Sequence, residues 1–178
     1  MQHRDMVALA YEEGFCAAEI IAAEDIIFNE AFRKYCEDNV CGFYGANYSC
    51  PPDCGTFEEM KARLTAHKRV LVVQTKWRIA DYTDKEAIWS AKHAHNSAMF
   101  RIIDRLEAEG YNGLMGGASC CTLCKKCAAV DHAPCTCPGK RFSCLSAYCI
   151  DVKALAERCG MEYFCADGSI AFFGIYAF

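Results

Sequence analysis

The sequence predicts an α/β fold, a single domain over residues 1–178 with a mixed sheet, flanking helices and two cysteine-rich loops set into it. Three observations lead there. Segments with apolar residues at three- and four-residue steps alternate with short β-branched runs, the pattern of layered α/β domains. With 178 residues, 53% apolar and 24% charged, the chain suits one sizeable core rather than a disordered polymer. No linker, repeat or low-complexity tract divides it.

Each element has its own signal. Met6, Val7, Leu9 and Ala10 make an amphipathic helix that Gly14 stops. Ile20 and Ile21 between small residues predict a short strand. Asn29 is placed to cap a short helix that ends near Cys36. Residues 37–55 are rich in Gly, Asn and Pro and predict an irregular loop. A helix then starts at Thr56, with Glu59 positioned for a capping box. "RVLVVQTKW" is a short β-branched run bounded by polar residues, a buried strand. In the long segment after Thr83 and Asp84, Ile88, Ala91, His95, Met99, Ile102 and Leu106 line one helical face, and Gly110 ends it. "YNGLMGGAS" predicts a strand running into the second cysteine loop. Asp151 and Gly160 bracket another helix. The closing "MEYFCADGSIAFFGIYAF" predicts an antiparallel hairpin turning at Asp167-Gly168.

Cysteine is the unusual residue. There are 15, about 8% of the chain, near the level of a scaffold built on sulfur. The start "MQHRDMVALAYEEGF" lacks the pattern of a secretory signal. No apolar run approaches the ~20 residues of a membrane span. The expected localisation is cytoplasmic, where dense thiols point to metal or catalysis rather than disulfides. The odd count of cysteines also argues against complete pairing. A net charge of −4 offers no basic stripe for nucleic acid.

Residues 120–137, "CCTLCKKCAAVDHAPCTC", hold six cysteines. Cys121, Cys124 and Cys127 stand in consecutive C-x2-C steps, the opening used by bacterial ferredoxins, with intervening amides free to point at sulfur. Zinc usually takes two separated C-x2-C knuckles, so the triple favours an iron–sulfur cluster. By spacing alone the fourth ligand is either Cys135 or Cys137. The first loop carries Cys36, Cys41, Cys50 and Cys54, enough thiols for a cubane or a zinc ion, at a spacing that selects neither. Tyr44 and Tyr48 are expected to cover the site or the core.

Together "VCGFYGANYSCPPDCGTFEE" and "SCCTLCKKCAAVDHAPCTCPGKRFSCLSAYCIDV" resemble the cysteine-rich predicted metal-binding protein family of bacteria and archaea, a domain of unknown function. The resemblance rests on Cys36, Cys41, Tyr44, Gly45, Cys50, Pro51 and Pro52, then on Cys121, Cys124, Cys127, Pro134, Cys135 and Ile150-Asp151-Val152. It implies metal binding, favours iron–sulfur as the metal centre, and favours Cys135 over Cys137 as the fourth ligand. The chain departs from the family pattern at Cys137, Cys144 and Cys149, where relatives usually carry other residues, and at Cys120, which duplicates the start of the triple. These extra thiols leave open further metal chemistry, a thiol relay or a third site.

Among the rest, Cys16, Cys159 and Cys165 are expected to pack as small apolar residues. Cys120, Cys137, Cys144 and Cys149 are open between core residue and reactive or ligating thiol. His95 lies on an apolar helix face and reads as a hydrogen-bonded core histidine. His93 reads as solvated and His132 as a turn residue. Glu58, Glu59, Glu107 and Glu109 look like solvated helix faces. "GYNGLMGG" lacks the order of a nucleotide-binding fingerprint.

The expected function is that of a redox protein with two [4Fe–4S] clusters, working with a redox partner protein rather than as a stand-alone enzyme. Cys36, Cys41, Cys50 and Cys54 would hold one cluster; Cys121, Cys124, Cys127 and Cys135 would hold the other. The alternative is a zinc-stapled structural or interaction module, using the same thiolates without redox activity.

Overall fold

A computed structural model describes residues 2–178. Helix α1 (His3–Glu12) leads into β1 (Ala17–Ala22), and the short α2 (Arg33–Glu37) follows. Next come α3 (Phe57–Thr65), β2 (Arg69–Trp77) and the long α4 (Lys85–Ala108). The chain closes with β3 (Leu114–Gly117), β4 (Ser143–Cys144), α5 (Val152–Arg158) and β5 (Ile170–Ala177). The five strands form one sheet in the order β1-β2-β5-β3-β4. It is mixed, as expected: β3 and β4 run parallel, and the other neighbours are antiparallel.

Strand β2 is buried on both faces because its apolar side chains alternate between two cores. Val70 and Val72 face α3 and α5, where Met60, Leu64, Leu155 and Ala156 are buried. Leu71 and Val73 face α1 and α4, against Met6, Leu9, Met99, Ile102 and Leu106. The helices therefore cover the sheet on both sides. Their starts are fixed by the expected caps: Thr56 and Glu59 form a reciprocal capping box, Asp84 accepts from Ala87 N, and Asp151 accepts from Ala154 N. Asn29 accepts from Ala31 N at the start of a 3-10 turn that runs into α2.

The closing hairpin is not formed. Residues 161–165 make no strand, and β5 instead enters the middle of the sheet. Strand β2 occupies one edge of β5 along its whole length, and β3 takes the other edge at Ile175–Ala177. The 161–165 segment is held on the face of the sheet rather than at an edge. Gln74 Nε2 donates to the Glu162 carbonyl at 2.6 Å, and the Tyr163 ring stacks on Phe173, its centroid 6.3 Å away. Gln74 and Phe173 are cross-strand partners, so they present one continuous surface to this segment.

His95 is fully buried, as its position on the apolar face of α4 requires. Its Nδ1 lies 2.8 Å from the Thr75 hydroxyl, which also accepts from the Trp77 indole at 2.9 Å. Among the described residues its Nε2 has no hydrogen-bond partner, and it faces Gly174 of β5. A Cβ at Gly174 would stand 2.7 Å from that nitrogen and 3.2 Å from Met99 Sδ. The missing side chain is what lets α4 lie this close to the sheet. Gly174→Ala should therefore cost about 1–3 kcal/mol through overpacking. Urea denaturation would measure it, and a loss below a few tenths of a kcal/mol would contradict this packing.

Candidate metal centre

The second cysteine loop leaves the sheet at Gly117, where α4 and the chain come very close. A Cβ at Gly117 would meet Phe142 at 2.5 Å and Asn96 Oδ1 at 2.8 Å. Asn96, buried on α4, uses this closeness: its Oδ1 accepts from Ala118 N at 3.0 Å, and its Nδ2 donates to Ser119 Oγ at 2.9 Å. The chain is thereby aimed before it reaches Cys120.

A second buried polar group ties this loop to the first one. Asn47 Nδ2 donates to the Cys121 carbonyl at 3.1 Å, while its Oδ1 accepts from Ser49 N at 3.0 Å and from Ser49 Oγ at 2.9 Å. Ser49 Oγ in turn accepts from Cys121 N at 2.8 Å. Both polar groups of the Cys121 backbone are thus satisfied by side chains of the other loop. Tyr48 adds a hydroxyl donated to the Ala133 carbonyl at 2.7 Å. Gly42 and Gly45 adopt positive φ, and Gly45 N donates to the Pro51 carbonyl at 2.9 Å, so the first loop folds back on itself. Sequence reading missed Asn47, Ser49, Asn96 and Ser119. In a loop, Asn and Ser read as turn formers, and their partners are remote in sequence.

The thiols fall into two groups. Cys36, Cys41 and Cys50 line a cavity of about 370 Å³, together with Cys120 and Cys144. Cys54 does not line it. Its Sγ sits 3.2 Å from Met60 Sδ and receives a bond from Arg33 Nη1 at 3.7 Å, within the core beside α3. The second group brings together all four thiols expected there, Cys121, Cys124, Cys127 and Cys135, with Cys137 beside them. They close on a space of about 20 Å³, with room for about one small atom. Cys121, Cys124 and Cys127 also border a wider cleft of about 670 Å³, which Cys120 and His93 share. Among the described residues, no three His, Cys, Asp or Glu side chains converge tightly enough to hold a single metal ion.

Burial sets the protonation of several of these thiols. It pushes Cys36 up to about 11, against the opposing pull of Arg33, and Cys144 up to about 12. Cys50 is raised by contact with the Cys120 thiol and by burial. Cys121 is raised by burial, while the N–H groups of Leu123 and Phe142 pull it back toward the thiolate. Such thiols keep their protons at neutral pH, so a cation entering here must displace them. The donor set is all sulfur, lies on irregular loops and has backbone N–H groups aimed at Sγ. It fits an iron–sulfur cluster or zinc, and not a hard cation such as calcium or magnesium.

The other cysteines divide. Cys149 is fully buried in core, at φ 56°. Cys159 packs partly buried against the core of α3 and α5, and Cys165 is also partly covered. Cys16 is exposed instead of buried; it immediately precedes β1, the edge strand, and donates to the Gln74 carbonyl at 3.3 Å. His132 is an exposed left-handed turn residue, and His93 is exposed on α4.

Among the described residues, no helix is long and apolar enough to cross a membrane. No curated protein and no solved structure matches the chain. A family model does, and residues 19–176 match it, a span that contains both cysteine loops and every strand except the first two residues of β1 and the last of β5. The chain belongs to the predicted metal-binding protein family DUF2284.

Proposed function

We propose that this protein holds two thiolate-bound [4Fe–4S] clusters and serves in electron transfer, as an accessory redox protein with a redox partner protein. One observation carries the reading: the two thiol-lined spaces meet at a single peptide bond, with Cys120 lining the first and Cys121 the second. Cys36, Cys41 and Cys50 would serve the first centre, and Cys121, Cys124, Cys127 and Cys135 the second. When bound, such clusters supply one-electron chemistry whose potential follows hydrogen bonding to sulfur and solvent exposure.

The chain's own residues would set both terms. Leu123 N–H and Phe142 N–H point at Cys121 sulfur, and Ala147 N–H points at Cys144 Sγ at 3.4 Å. The Phe43 and Trp89 rings, stacked at 5.6 Å, and Lys92 with its positive charge are part of the first cavity's lining. Tyr35, Val40, Tyr44 and Trp89 leave an exposed apolar rim on the same side, a surface suited to a docking partner.

Anaerobically prepared protein should absorb broadly in the visible, bleach on adding dithionite and recover on reoxidation. A colourless preparation indifferent to dithionite would sink the redox reading. Zinc without redox activity is the second reading, since the same all-sulfur donor set suits a tetrahedral zinc ion.

A further inference from the structure

We propose that Cys144, and not Cys54, supplies the fourth thiolate of the first centre; the inference rests on the two-centre reading above. Cys144 lines the same cavity as Cys36, Cys41 and Cys50, whereas Cys54 is turned into the core against Met60 and Arg33. The first cysteine loop therefore gives three thiols to this space, and the fourth has to come from elsewhere.

Cys144 reaches it from an independent and well-fixed element. Its backbone pairs with Gly117 as β4. The far end of its turn is pinned to the segment that leads into α2: Asn29 N donates to the Cys149 carbonyl at 2.8 Å, and Asp151 N donates to the Ile27 carbonyl at 2.9 Å. Since α2 carries Cys36, those bonds hold Cys144 and Cys36 in the lining of one space. Ala147 N–H, 3.4 Å from Cys144 Sγ, provides the kind of donor that metal-bound sulfur collects.

Cys120 is the other candidate in the cavity, and its position argues against it. Its thiol is in hydrogen-bonding contact with that of Cys50, so it duplicates the place of a thiol that the first loop already supplies. Its neighbour Cys121 already belongs to the second group.

The test compares full-length wild type with Cys54→Ser, Cys120→Ser and Cys144→Ser, all prepared anaerobically and assayed for iron, zinc and sulfide per chain. The expected result is that Cys144→Ser retains about half the wild-type metal while the other two keep all of it. Wild-type metal in Cys144→Ser, or a halved content in Cys54→Ser or Cys120→Ser, would overturn the ligand assignment alone. A metal-free wild type would overturn the two-centre reading and this inference with it. If Cys144→Ser fails to fold, thiol alkylation of the wild type decides. Cys36, Cys41, Cys50 and Cys144 should gain label together on chelation, with Cys54 unchanged; Cys144 labelling that ignores chelation would overturn the assignment.

Discussion

Asn47→Ala is expected to cost about 3–5 kcal/mol and to release the second cysteine loop from the first. The substitution strips partners from three groups at once: the Cys121 carbonyl, Ser49 N–H and the Ser49 hydroxyl. Asn47 and Ser49 are almost wholly buried, so water reaches the abandoned groups poorly, and each costs about 1–3 kcal/mol unpaired. Ser49→Ala leaves Cys121 N–H stranded in the same place. Because the two residues share one network, their effects should not add. Urea denaturation of both single variants and the double variant tests this. The double variant should cost clearly less than the sum, and metal content at the second centre should fall in all three. Additive losses below about 1 kcal/mol each would mean that the loops are not held this way.

Acid should destabilise the fold through His95. Burial alone lowers its pKa to about 3, against an ordinary value of 6.5. Between those values the unfolded chain binds a proton that the folded chain refuses, so stability falls as pH falls from 6.5 toward 3. Above 6.5 the contribution is fully present. At pH 5 the loss is about 2 kcal/mol, from ~1.4 kcal/mol per pH unit. His95→Gln removes the titration while leaving a polar side chain to meet Thr75. The slope of stability against pH from 6.5 to 4.5 should be steeper in wild type than in this variant, both measured metal-free. Equal slopes would show that His95 is protonated without cost.

What was legible in the sequence was mostly local. Thr56 with Glu59 and Asp151 with Ala154 act within a single helical turn, so spacing revealed them. The two-faced burial of β2 followed from an unbroken β-branched run. Strand β4 escaped notice because two residues carry no period, and its existence depends on Gly116 and Gly117 lying alongside. Residues 161–165 look like a strand by composition, but they meet the sheet through Gln74 and Phe173 side chains rather than through an edge. At the site, the C-x2-C-x2-C triple could be read directly. The ties between the loops could not, because Asn47 and Ser49 reach Cys121 across 74 and 72 residues. The same distance hid Cys144, whose place beside Cys36 depends on pairings at Gly117 and at Phe28–Ile150.

Two adjacent thiol-lined spaces are proposed here to hold two iron–sulfur clusters. Iron, acid-labile sulfide and zinc should be counted on one anaerobic sample of the full chain. About eight iron and eight sulfide per chain is the predicted result, as two four-iron clusters require. Near-stoichiometric zinc with no sulfide would contradict it and leave a zinc-stapled module held by the same thiols.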